Sequence, residues 1–295
     1  MAEGVSRSRA RDVISAEALV HVPAASLSGD DTWAMLLDGG AVNATYRVDT
    51  HAGSFVVRSY GSMSGALLAD HEREAKLHEA AARAGLAPRL IHLDPQHRFL
   101  ITEYVAGRMW TEADFAQESQ LLRLAELLRK LHAIPPPRVA PFDLGGILQL
   151  YFNEIVRAAP EERSRLESLV SHVPDALRAC GSEQRPATIM HSDLHHSNLI
   201  DGDRLLLIDW EYAAVTDPLF DLGSVLAYYP QAEPHAALLM EASGLAGQAT
   251  REMLRHASWL YLLLAYLWHR YLRTASPDMD RQAEQDLLER LADTR

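Results

Sequence analysis

Between residues 33 and 60 the apolar residues gather in three short runs, Trp33-Ala-Met-Leu-Leu37, Ala44-Thr-Tyr-Arg-Val48 and Ser54-Phe-Val-Val-Arg58. β-Branched and aromatic side chains recur in them, which predicts strands. Asp38-Gly39-Gly40 and His51-Ala52-Gly53 place turn residues between the runs, so the strands should pair as antiparallel hairpins. From 66 to 85 the chain becomes rich in Ala, Leu and Glu and stops at Gly85, with Pro88 just beyond, as a helix and its end would. Two further strands over 90–93 and 98–104 complete an expected five-stranded antiparallel sheet carrying one helix.

After Val105 the pattern changes. Leucines at 121, 122, 124, 127, 128 and 131 follow a 3.6-residue period within 112–132, closed by Pro135-Pro136-Pro137. Helical stretches follow at 143–158, 161–180, 218–228, 232–243 and 247–275. One island of strand interrupts them: Asn198-Leu-Ile and Arg204-Leu-Leu-Leu-Ile208, joined by the turn Asp201-Gly202-Asp203. The expected class is α+β, with a small sheet-rich N-terminal lobe over 1–104 and a large, mainly helical lobe over 105–295 that has a hairpin at its heart.

Composition adds little to the fold and more to the partners. Of 295 residues 48% are hydrophobic and 23% charged, ample for a core. The formal charge of −12 argues against a nucleic-acid binder, which needs clustered Lys and Arg. It would favour a cationic small molecule, although net charge also serves solubility. The single cysteine, Cys180, excludes an internal disulfide and a cysteine-based zinc site and suits a reducing cytoplasm. Arg7, Arg9 and Arg11 have no apolar stretch behind them, so no secretory signal is read there. The longest apolar run, Ala257 to Trp268, is too short to cross a bilayer, and a cytoplasmic protein without membrane partners is expected.

The richest chemistry lies in His191-Ser-Asp193-Leu-His-His-Ser-Asn198, followed by Leu205-Leu-Leu-Ile-Asp209-Trp210-Glu211-Tyr212. Phosphoryl transfer needs a carboxylate beside the attacking hydroxyl and oxygen ligands for Mg²⁺ at the phosphate. Asp193 can accept the hydroxyl proton, and Asn198 and Asp209, on the two arms of one hairpin, offer the oxygens magnesium prefers. Either half alone is a common chance pattern, and an Asp after an apolar strand is often only a turn residue. The conjunction carries the reading.

With these motifs the chain resembles the aminoglycoside phosphotransferase and choline kinase group, over roughly 20–275. The resemblance implies a bilobal protein kinase-like fold, ATP and Mg²⁺ as cofactors, and transfer of the γ-phosphate to a small-molecule hydroxyl. By it, His191-Ser-Asp193 plays the catalytic-loop part, with His191 orienting the loop, and Ile208-Asp209-Trp210-Glu211 plays the metal-binding segment. Asp-Trp-Glu-Tyr-Ala followed by Asp-Pro-Leu-Phe-Asp-Leu looks most like thiamine kinase and bacterial choline kinase relatives. Asp221 resembles the aspartate that accepts backbone hydrogen bonds from the catalytic loop. Gly39, Gly40 and Asn43 resemble the nucleotide-covering loop, though an ordinary hairpin turn would read the same. Arg58 stands where protein kinases carry a phosphate-holding lysine. Its expected partner is Glu74, which shares a mostly apolar helix face with Leu67, His71, Leu77 and Ala81, whereas Glu72 sits with Lys76 and Glu79. Glu103, Tyr104 and Val105 match the segment whose backbone would hold the adenine edge.

Trp210, Glu211 and Tyr212 directly follow the metal aspartate and are candidate acceptor contacts, with a cationic alcohol such as thiamine, choline or ethanolamine in view. The aromatic residues Trp259, Tyr261, Tyr266, Trp268 and Tyr271 could add to such a site, but at helical spacing they are equally core. Antibiotic kinases for aminoglycosides or macrolides, and sugar kinases, are alternatives of the same fold. A metal-dependent hydrolase using His191, Asp193, His195 and His196 is the rival of a different class. It leaves Asn198 and Asp209 without a role.

Overall fold

The structure is a computed structural model that describes residues 7–26, 31–39, 43–61, 70–140, 142–275 and 281–293. The chain divides into two compact units, Met1–Met109 with Leu199–Tyr212, and Trp110–Asn198 with Ala213–Arg295.

In the first unit, strand β1 (Arg7–Arg9) leads into two short helices, α1 (Ala10–Val13) and α2 (Ala16–Leu19). There follow β2 (Trp33–Gly39), β3 (Asn43–Thr50), β4 (Gly53–Tyr60), α3 (His71–Arg83), β5 (Leu90–Leu93), β6 (Phe99–Glu103) and the two-residue β7 (Arg108–Met109). The sheet runs β1-β2-β3-β4-β6-β5 with every pairing antiparallel, so it has six strands where five were expected. The addition, Arg7-Ser-Arg9, has no apolar pattern to betray it. It is held as a strand by its register with Trp33–Met35 and by Arg7 and Arg9 lying over the Trp33 ring. Ala10, Ile14, Ala18, Leu19 and Val22 cover one sheet face, packing on Val48, Phe55, Val57, Phe99 and Ile101.

Strand alternation then sends Arg58, next to Val57, to the opposite face, where it meets α3. Asp70 caps α3 by accepting from the amide of Arg73 at 2.9 Å. The helix ends on Gly85, left-handed at φ 74°, with the Leu86 amide reaching back to the Ala81 carbonyl at 2.9 Å.

The second unit holds α4 (Glu118–His132), α5 (Leu144–Ala158), α6 (Arg163–Val170) and α7 (Val173–Cys180). The single helix expected over 161–180 is two, because Pro174 can stand in a first turn but not in a helix interior. Strand β8 (Thr188–Met190) comes next. The hairpin β9 (Leu199–Asp201) and β10 (Leu205–Leu207) returns to the first unit: β9 pairs with β7, and the Leu207 amide donates to the Leu86 carbonyl at 2.9 Å. Back in the helical unit, β11 (Ala214–Thr216) pairs with β8. There follow α8 (Leu219–Tyr228), α9 (Ala236–Ala242), α10 (Arg251–Ala275) and α11 (Gln282–Asp293).

Helix α8 is buried from Leu219 to Ala227 and crosses α10 closely at Gly223, where an added Cβ would lie 2.8 Å from the Ala257 carbonyl carbon. Of the aromatic residues on α10, Trp259, Tyr261 and Tyr266 are buried in the core. Among the described residues no helix is long and apolar enough to cross a membrane.

Candidate active site

The candidate residues fall in both units, and each half has its own local logic. In the helical unit, β8 delivers the chain to His191, and a turn of 3-10 helix over His196–Asn198 closes the loop. Ser192 is left-handed at φ 67°, a conformation that costs a non-glycine residue free energy and has to be held by its surroundings. Asp221 does the holding. Fully buried in the first turn of α8, it accepts from the amides of Ser192 at 3.0 Å and His191 at 3.3 Å, and from His132 Nε2 at 2.8 Å. Two helices and the loop therefore converge on one carboxylate, and an acid near a helix N-terminus is favoured there.

Asp193 is half-buried. Its Oδ2 accepts from Asn198 Nδ2 at 2.8 Å, and the same nitrogen donates to the Asp193 carbonyl at 3.0 Å. With the amide nitrogen directed at Asp193 by both bonds, the carboxamide oxygen of Asn198 is turned the other way. Tyr228 Oη donates to Asp193 Oδ1 at 3.1 Å. This tyrosine did not stand out in the sequence, because nothing local links it to residue 193.

His195 and His196 belong to the loop's packing. His195 Nδ1 lies 2.8 Å from Ser197 Oγ, and burial, aided by neighbouring His196, pushes its pKa down to about 4. His196 donates its backbone amide to Tyr229 Oη at 2.6 Å, and the Tyr229 ring stacks on Phe115 at 3.6 Å. Among the described residues no group of three or more His, Cys, Asp or Glu converges as a metal-binding cluster, so the hydrolase set does not assemble. Below the loop, Asp217 holds the buried Arg185 through two oxygens, at 2.8 and 2.6 Å, and accepts from the Leu219 amide at 3.0 Å to start α8.

In the sheet unit Asp209 follows β10, also left-handed at φ 62°. Its Oδ1 accepts from Arg58 Nη1, while Arg58 Nη2 bonds Glu74 Oε1. Glu74 is 1% exposed and is the helix partner of Arg58; Glu72 lies outside and pairs with Lys76. Tyr60 Oη donates to Glu74 Oε2 at 2.9 Å and accepts from Arg58 Nη2 at 3.3 Å, another participant the sequence did not single out. Burial works against the charge on Arg58, but the carboxylates of Asp209 and Glu211 outweigh it and hold the guanidinium pKa above its ordinary value.

Asn43 Nδ2 donates to Glu211 Oε2 at 3.0 Å, joining the strand that leaves the predicted covering loop to the segment after Asp209. Gly39 ends β2 opposite Ala44, and Gly40 lies outside the described residues. Trp210, expected to face an acceptor, is 1% exposed, stacks on His78 and donates from Nε1 to the Leu207 carbonyl at 3.3 Å, so its ring packs in the core. Glu211 and Tyr212 are partly exposed. The amides of Glu103 and Tyr104 are committed to the carbonyls of Arg89 and Ser54, at 3.0 and 3.1 Å.

Known proteins share the fold described above. A choline/ethanolamine kinase family protein from Mesorhizobium loti superposes with a TM-score of 0.71 at 23% identity, covering 94% of this chain and 92% of that one. LicA in complex with AMP superposes at 0.72 with 18% identity, covering 90% and 94%. At these identities the likeness is one of fold. Protein LicA of Haemophilus influenzae is 26% identical over 215 residues, 69% of this chain, and the match spans 60% of that protein's length. The model of the phosphotransferase enzyme family matches residues 33–256, and the chain, with its kinase-like fold, belongs to that family.

Proposed function

We propose that the chain is an ATP- and magnesium-dependent kinase that phosphorylates a hydroxyl of a small cationic alcohol, with choline, ethanolamine and thiamine the first candidates. The observation that carries the reading is the Asp193–Asn198 pair: a carboxylate oriented by an amide whose nitrogen is committed to it at 2.8 Å.

The donor chemistry suits the metal. A carboxamide oxygen from Asn198 and a carboxylate from Asp209 are the hard oxygens magnesium takes beside water and phosphate. Bound by them, the ion would neutralise charge on the phosphate being transferred. The rest falls to the chain. Asp193 takes the proton from the acceptor hydroxyl as the new oxygen–phosphorus bond forms and the bond from γ-phosphorus to the β-bridging oxygen breaks. Arg58, held by Glu74, supplies positive charge to the nucleotide phosphates. Val105 offers a backbone donor to the adenine edge beside Glu103 and Tyr104, and Gly39, Gly40 and Asn43 are the candidates for covering the nucleotide. Glu211 and Tyr212 face the acceptor's cationic end, in keeping with the net charge of −12. His191 and Asp221 keep the loop in shape.

The test is ADP release from magnesium-ATP in the presence of choline, ethanolamine, thiamine, aminoglycosides, macrolides and simple sugars in turn. A cationic alcohol should give the largest kcat/KM. Preference for an antibiotic or a sugar would move the acceptor assignment within the family. Asp193→Asn should lower turnover by about 10²-fold or more with the KM for ATP nearly unchanged; near-normal turnover would remove Asp193 from its role.

A further inference from the structure

Helix α8 grips the catalytic loop at both of its ends. Asp221 in its first turn takes the amides of His191 and Ser192, and Tyr228 in its last turn donates to Asp193 Oδ1 at 3.1 Å. Tyr229, one residue further, takes the amide of His196. Tyr228 stands seven positions after Asp221, two turns of helix, so both side chains leave the same face about 10 Å apart. The body between them is buried from Leu219 to Ala227 and pressed against α10 at Gly223. A rigid element thus presents two polar groups at fixed separation, one to the strained start of the loop and one to its carboxylate.

Two hydrogen bonds on the Asp193 carboxylate have different origins. The one from Asn198 comes from within the loop, five residues on, and moves with it. The one from Tyr228 comes from the helix and ties the carboxylate to the frame of the unit. Tyr228 is also braced, its ring edge-on to His195 at 5.9 Å and beside Tyr229 at 6.2 Å.

We propose that Tyr228 is a positioning residue of the transfer reaction: its hydroxyl holds the Asp193 carboxylate in the orientation that meets the acceptor hydroxyl. The role rests on Asp193 being the base, and it assigns to α8 a part in turnover beyond its packing. A carboxylate free to rotate would still be present but misaligned, and misplacement of about 1 Å costs on the order of 10²-fold in rate.

The experiment is a double-mutant cycle between Tyr228→Phe and Asp193→Asn, read as ADP release from magnesium-ATP with the best acceptor from the screen, or with water if none is turned over. Phenylalanine keeps the ring contacts, so the melting temperature should hold. Tyr228→Phe should lower kcat by about 10- to 100-fold and leave the KM for ATP within about twofold. In the Asp193→Asn background the same change should add nothing, because groups acting as one unit are not additive. A loss of equal size in both backgrounds would make Tyr228 a packing residue and overturn the proposal, including where the variant melts lower. A raised acceptor KM with unchanged kcat would make it a binding residue instead, and an unchanged kcat would also end it. Failure of the underlying reading looks different: Asp193→Asn alone would then keep its turnover, or the unaltered chain would release no ADP with any acceptor.

Discussion

Arg58 shows how much one side chain depends on its surroundings. A guanidinium 8% exposed is tolerable only with counter-charges, and it has Glu74 and Asp209. Glu74→Gln keeps the shape and removes the charge. Breaking a buried pair from one side costs about 3–5 kcal/mol, and because Asp209 still partners Arg58 the loss should lie near the lower figure. Urea denaturation measures it, with Glu72→Gln as the control. The Glu72–Lys76 pair has side chains 70% and 44% exposed and should be worth less than about 1 kcal/mol. Equal midpoints for the two variants would mean that the buried pair contributes nothing. The inward position of Glu74 was legible because helical periodicity is local: Glu74, Leu77 and Ala81 share a face and all are buried. The burial of Trp210 was not, since one residue after a turn has no period to follow.

At the scale of elements, the N-terminal helices are docked on the sheet by an apolar seam and by a histidine pair. His21 stacks on His92 at 3.7 Å with the rings 7° apart, and His92 sits beside Phe99. Burial, and then the facing His21, lower the pKa of His92; Asp94 opposes them. A folded-state pKa below the unfolded one means that the unfolded chain binds more protons. The stability His92 contributes is therefore whole above the ordinary histidine value of 6.5 and falls away as pH drops below it toward the folded value.

Once the intrinsic slowing of exchange at lower pH is corrected for, the amides of Val20, His21 and Val22, each bonded within this segment, should show an excess of exchange as pH falls from about 7.5 to 5.5. His92→Phe should abolish that excess, as buried His92 Nε2 has no hydrogen bond to lose. An excess unchanged in the variant would place the sensitivity elsewhere. The longer helices up to α10 and the strands β2 to β6 were readable from apolar spacing and breakers, whereas the short α1 and α2 and the terminal α11 were not picked out. The split at Pro174 was written in the sequence as well, whereas β1 was not, because three polar residues become a strand only when Trp33–Met35 lies alongside.

For the molecule as a whole, ligand linkage offers a check that needs no acceptor. Magnesium-ATP at about a hundred times its Kd should stabilise the folded chain by about 2.7 kcal/mol, a rise of several degrees in Tm. Asp209→Ala should lose the magnesium-dependent part of that rise while keeping its own baseline melt. A rise of the same size with EDTA present, or in the variant, would separate nucleotide binding from any ion held at Asp209.

What the amino-acid order determined by itself was whatever depends on neighbours along the chain: helix faces, turns, the sequence of elements, and the spacing of Asp193, Asn198 and Asp209 that points to phosphoryl transfer. Only the tertiary structure decided which distant groups share a hydrogen bond: His132 and the loop amides on Asp221, Tyr228 on Asp193, Tyr60 on Glu74, Asn43 on Glu211. Periodicity is a property of a few consecutive residues, whereas a bond across 35 or 168 positions exists only once the packed core has set the path of the chain between them.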